Sequence, residues 1–96
     1  MSTSSLEPDP PLAEEGLVRA HAGELRDLAT RYGIAELRFA SAGRLVGRVP
    51  ADKDLLDVAA FDVEATDLLG ASVMLFSDAV LTKENVSPDL VAASPL

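Results

Sequence analysis

Between residues 12 and 33 the apolar positions recur in steps of three and four. Leu17, His21, Leu25, Leu28 and Tyr32 fall on one face of a helix. Glu14 and Glu15 suit its positive N-terminal end and Arg31 its negative C-terminal end. Gly33 stands where a left-handed cap would close it, and Gly16 and Gly23 weaken its first turns. The pattern then changes to alternation. Ala35, Leu37 and Phe39 interleave with Glu36 and Arg38, which predicts a strand over 34–40. Residues 41–47, Ser-Ala-Gly-Arg-Leu-Val-Gly, read as a short helix with Ser41 as N-cap. A turn at 48–51 follows, where Pro50 disfavours helix at Val49. The apolar run 54–61 reads as a covered strand whose start can extend to Asp52. A short helix over 62–70, capped by Asp62 and stopped by Gly70, precedes a strand over 71–76. Ser87-Pro88 opens a last helix over 87–93. The order predicts an α/β fold, a small mixed sheet of about three strands flanked by helices.

Length and charge narrow this picture. Ninety-six residues make one domain, placed at 12–96, behind a Ser- and Pro-rich stretch, 1–11, that has little to bury and reads as a disordered tail. No run approaches the ~18 apolar residues of a membrane span. The N-terminus lacks the basic start and apolar centre of a signal peptide. Without cysteine there is no disulfide, thiolate site or thiol nucleophile. These features predict a cytoplasmic protein. A net charge of −8 argues against nucleic acid or anionic lipid as direct ligand and suits a basic protein or a bound cation; it also simply keeps a chain soluble.

The candidate chemistry lies at Asp52-Lys53-Asp54. On a strand beginning at Asp52 the two carboxylates share a face, where a divalent cation would relieve their repulsion. Magnesium commonly takes one or two carboxylates together with phosphate oxygens. Upstream, Ser41 would offer a hydroxyl and backbone N–H groups to a phosphate. Taken alone, the pair is a weak signal and reads first as an acidic turn entering a strand. His21 and Tyr32 read as packing residues, and Asp57 as a mid-strand acid that, if buried, needs a partner such as Arg38 or Arg48 and, if exposed, helps mark a partner surface.

Together these stretches resemble the minimal nucleotidyltransferase family, the small antitoxin partners of HEPN-type RNase toxins. That family carries Gly-Ser, ten intervening residues and Asp-x-Asp; here Ala40-Ser41 is followed by residues 42–51 and then by Asp52-Lys53-Asp54. Residues 25–41 resemble its leading helix and first strand, 54–58 its second strand, and 68–76 its leucine-glycine turn into the third strand. The resemblance implies a small polymerase-beta-like nucleotidyltransferase sheet. Asp52 and Asp54 would then be the catalytic, magnesium-holding carboxylates, and Ser41 and Arg44 would contact ATP. Departures are equally visible. Ala40 replaces the glycine before the serine, and Met74 stands where the family has its third carboxylate. Methionine neither binds magnesium through oxygen nor accepts a proton. The expectation is therefore a degenerate, non-catalytic antitoxin that neutralises a basic HEPN-type RNase by direct binding. The alternative is an active magnesium- and ATP-dependent enzyme that transfers AMP to a toxin tyrosine.

Overall fold

The structure is a computed structural model that describes residues 11–82 and 85–96. The expected tail lies, except for Pro11, outside the described residues. Two helices, α1 (Glu15–Ala20) and α2 (Ala22–Arg31), lead into strand β1 (Ala35–Ser41) and strand β2 (Arg44–Arg48). Helix α3 (Leu55–Leu69), strand β3 (Met74–Ser77), a 3-10 turn (Asp78–Thr82), the short helix α4 (Pro88–Val91) and strand β4 (Ser94–Pro95) complete the chain. The sheet has four strands in the order β3-β2-β1-β4. β1 pairs antiparallel with β2 and β4, while β2 and β3 are parallel, with α3 as the crossover between them. The expected α/β class and mixed sheet are present. Among the described residues no helix is long and apolar enough to cross a membrane.

The first helical stretch is broken at His21, whose φ of −112° and ψ of 21° leave the helical region. The two glycines thought to fray it stay inside α1 and α2. His21 instead starts the second helix, and its ring nitrogen Nδ1 lies 2.7 Å from Glu24 Oε1. Gly33 follows with φ +72°, in the left-handed conformation the sequence predicted.

Residues 41–47 are not a helix. Ala42-Gly43 forms a two-residue turn, with Gly43 at φ +75°, and the chain doubles back as β2. The turn is pinned on both sides. Gly43 N–H donates to Ala13 O at 2.7 Å, and Gly43 O accepts from Met74 N–H at 2.9 Å. Those bonds satisfy the backbone in an extended hairpin and leave no reason for a helix there.

Residues 54–61 are not a strand. They form the N-terminal half of α3, which runs on through the separate helix expected at 62–70. Asp54 decides this. Its Oδ1 accepts from the N–H groups of Leu56 and Asp57 at 3.0 and 3.1 Å, and Asp57 Oδ2 accepts from Asp54 N–H at 3.2 Å. This reciprocal capping box nucleates a helix. Asp57 is thereby partnered within its own turn, not by Arg38 or Arg48. Gly70 ends α3 in the left-handed conformation, φ +67°, as expected.

The core lies between one sheet face and α1, α2 and α3. Val18, Leu25, Leu45 and Phe61 are fully buried there, with Leu37, Phe39, Val73 and Leu75 beside them. The other face is covered locally by α4, where Val46 and Leu90 are buried outside the main cluster. α3 also guards a sheet edge. Leu75 N–H donates to Asp62 Oδ1 at 2.8 Å and Val73 N–H to Thr66 Oγ1 at 3.3 Å. Asp62 and Thr66, one helical turn apart, thus occupy one backbone donor of edge strand β3 and one just before it that would otherwise face another chain.

Candidate functional site

The four expected site residues fall into two pairs at opposite ends of the β1–β2 hairpin. Ser41 closes β1 and faces Arg44, the first residue of β2, across the turn. Asp52 and Asp54 follow the far end of β2. Its five residues separate the pairs by roughly 13 Å of strand rise.

At the hairpin end, Ser41 Oγ donates to Asp89 Oδ2 at 2.6 Å. Arg44 Nε lies 3.4 Å from the same oxygen. It is shielded from solvent without a well-aligned hydrogen bond, so this contact is ionic in character. A terminal guanidinium nitrogen reaches Ser87 Oγ at 3.5 Å, and the guanidinium carbon sits 4.9 Å from the centre of the Phe76 ring. The hydroxyl and the guanidinium expected to receive a phosphate do meet, and both are directed at a carboxylate of the same chain. The Ser41 hydrogen bond, opposed by partial burial and aided by the Arg44 charge, holds the Asp89 carboxyl below the usual carboxylate range. The result is a latch between α4 and the sheet.

At the other end, Asp52 is exposed in the turn leading to α3, and Asp54 is the N-cap of that helix. The expected shared strand face does not exist, because neither aspartate is on a strand. Asp54 lies beside a shallow cleft with Val49, Pro50, Lys53, Val58 and Ser77. Among the described residues no three His, Asp or Glu side chains gather at metal-holding distances. The two pairs do not converge on one ion or one phosphate chain. The residues present therefore do not fit magnesium and ATP in the expected way, and no chemical step follows from them.

Met74 opens β3 opposite Arg44 in the parallel register, largely exposed. Two of the three stretches that carry the family resemblance adopt the expected elements: helix to strand over 25–41, and the turn into a strand over 68–76. The middle one is the first turn of α3, and the sheet takes Arg44–Arg48 as its second strand instead.

Sequence reasoning missed three features. Asp89 was hidden as an ordinary acid in a helix's first turn, with nothing local to connect it with Ser41. Asp62 was read as a cap, yet it is half-buried mid-helix, and burial lifts its carboxyl from 3.8 to about 6 despite the opposing hydrogen bond from Leu75. The third is the outer face of α3, where Leu56 and Val63 are 78% and 62% exposed. The spacing of Asp54 and Asp57 was the available signal that these residues belong to one helix.

The chain matches no protein-family model, no curated protein and no solved structure with which it was compared.

Proposed function

We propose that this chain is a binding module: a cytoplasmic antitoxin on a degenerate minimal nucleotidyltransferase scaffold. In this reading it neutralises a basic HEPN-type RNase toxin by direct association. The observation that carries the reading is the division of the four motif residues. Asp89 engages both Ser41 and Arg44, the two groups that the resemblance assigns to ATP, and the two aspartates stand at the opposite end of the hairpin. An arrangement of this kind stabilises the fold and leaves the protein surface to act by contact. The net charge of −8 favours a basic partner. An RNase must present basic residues to hold RNA, and an acidic protein covering them competes with its substrate and associates rapidly.

The test is co-expression and direct binding with the product of the neighbouring gene. Asp52→Ala removes one carboxylate. Asp54→Ser removes the other while keeping a helix-capping oxygen. Neutralisation that survives both changes, with no label passing from ATP to the partner, is the expected result. ATP-dependent labelling of the partner that both changes abolish would overturn the reading in favour of an enzyme.

A further inference from the structure

We infer that the outward face of α3 is the docking surface, and that its occupant is a basic amphipathic helix of the partner protein. The inference rests on the proposed function for one point only, that the partner is a protein. Leu56, the Ala59–Ala60 pair and Val63 recur at three-to-four-residue spacing on the side of α3 turned away from Phe61, Ala65 and Leu69. The helix is thus apolar on both sides, although only one side packs against the core. A surface helix ordinarily carries one apolar stripe, toward the core, so a second stripe turned outward marks a surface for contact. The two alanines lower the middle of the stripe, so another helix can approach closely between Leu56 and Val63, which are roughly 10 Å apart along the axis.

Charge selects the occupant. Residues 54–69 carry Asp54, Asp57, Asp62, Glu64 and Asp67 and no lysine or arginine. Beyond Asp67 and Glu64 lies a groove of about 240 Å³ between α2 and α3, floored by Leu28 and Leu68 and edged by Glu24, Asp27 and Glu64, with Arg31 as its one cation among the described residues. An apolar floor under carboxylates suits a lysine or arginine, whose methylenes pack while the head stays among the acids. A helix lying on the stripe can send such a side chain over Glu64 into the groove. A second copy of this chain would instead bring acid against acid.

The probe is a labelled leucine–lysine peptide with leucine at the a and d heptad positions, titrated with the full chain at low and high salt. Leu56→Gln with Val63→Gln changes no charge and touches no core residue. We expect it to weaken binding at least about tenfold. Glu24→Gln with Asp27→Asn should weaken binding severalfold and flatten its salt dependence. Val91→Gln alters an equally exposed apolar residue on α4 and should leave binding unchanged. Unchanged affinity in the Leu56/Val63 variant, or equal loss in the α4 variant, overturns the inference. So does a wild-type dimer in sedimentation that the Leu56/Val63 variant dissolves, because the occupant is then a second copy. If the neighbouring gene's product binds regardless of these changes, the docking surface is refuted and the binding-module reading stands. If the peptide docks on α3 and that product does not bind, the reading fails and the surface stands.

Discussion

Asp62→Asn should stabilise this protein at neutral pH and remove part of its pH dependence. Asp62 is half-buried against the edge of β3, and burial raises its carboxyl to about 6. In the unfolded chain the same group titrates near 3.8. A folded-state value above the unfolded one means the stability contribution is fully present below pH 3.8 and is lost as pH rises through about 6. The shift corresponds to about 3 kcal/mol at its ceiling. Because the side chain keeps half its exposure, solvent screening reduces this to about 1–2 kcal/mol. Asparagine retains an oxygen that can accept from Leu75 N–H and has no charge to bury. The assay is urea unfolding and thermal unfolding, both followed by circular dichroism from pH 4 to pH 8, for both proteins. The variant should gain about 1–2 kcal/mol at pH 7–8, a rise in Tm of roughly 4–8 °C per kcal/mol in a domain of this size. The gain should vanish near pH 4, and every other carboxylate cancels in the difference. Asp62→Ala separates charge from hydrogen bond, because it leaves Leu75 N–H unpartnered and should cost about 1–3 kcal/mol relative to the asparagine variant. A gain that is the same at pH 4 and pH 8, or a loss at pH 8, would refute the reasoning.

Other changes test single contacts. Asp54→Ala should destabilise the fold by about 1 kcal/mol, with most of the loss restored by Asp54→Ser, because the cap needs an acceptor rather than a charge; chemical denaturation reads both. Gly43→Ala should cost at least about 1 kcal/mol, since its φ is +75° and a Cβ would meet Leu12 Cδ2 at 2.8 Å; the same denaturation series checks it. Glu36 sits at φ +53° within a strand irregularity and pairs with Arg48 at 2.7 Å on the surface. Glu36→Gly should be neutral or stabilising by up to about 1 kcal/mol by thermal unfolding, because relief of left-handed strain outweighs an exposed ion pair.

The parts of the fold that were legible in the sequence are those decided by local chemistry. Alternation of Leu37 and Phe39 with Glu36 and Arg38 marks β1, and Gly33 and Gly70 mark chain reversals because few other residues adopt a positive φ readily. The parts that misled are those where local signals are degenerate. An eight-residue apolar run such as 54–61 satisfies a covered strand and one side of a helix equally well, and length alone cannot arbitrate. The reciprocal bonds of Asp54 and Asp57 settle the matter, and they place the supposed metal pair in a helix cap. The Ser41–Asp89 contact spans 48 residues, so no window of sequence could display it.

The allocation of α3's three sides gives physical content to the binding reading. One side fills the core through Phe61, Ala65 and Leu69. A second occupies Leu75 N–H of β3 through Asp62 and Val73 N–H, just before the strand, through Thr66, which hinders strand addition along that edge. Contact through this part of the molecule is then better made with side chains, and the third side offers them: Leu56 and Val63 above two alanines, with acids at the border. A helix is the element that matches such a stripe, because its own ridges repeat at the same three-to-four-residue spacing. Opening the edge and covering the stripe are therefore separable. Thr66→Val with Asp62→Leu should expose the β3 donors and promote self-association without altering docking on Leu56 and Val63, and light scattering beside peptide titration distinguishes the two.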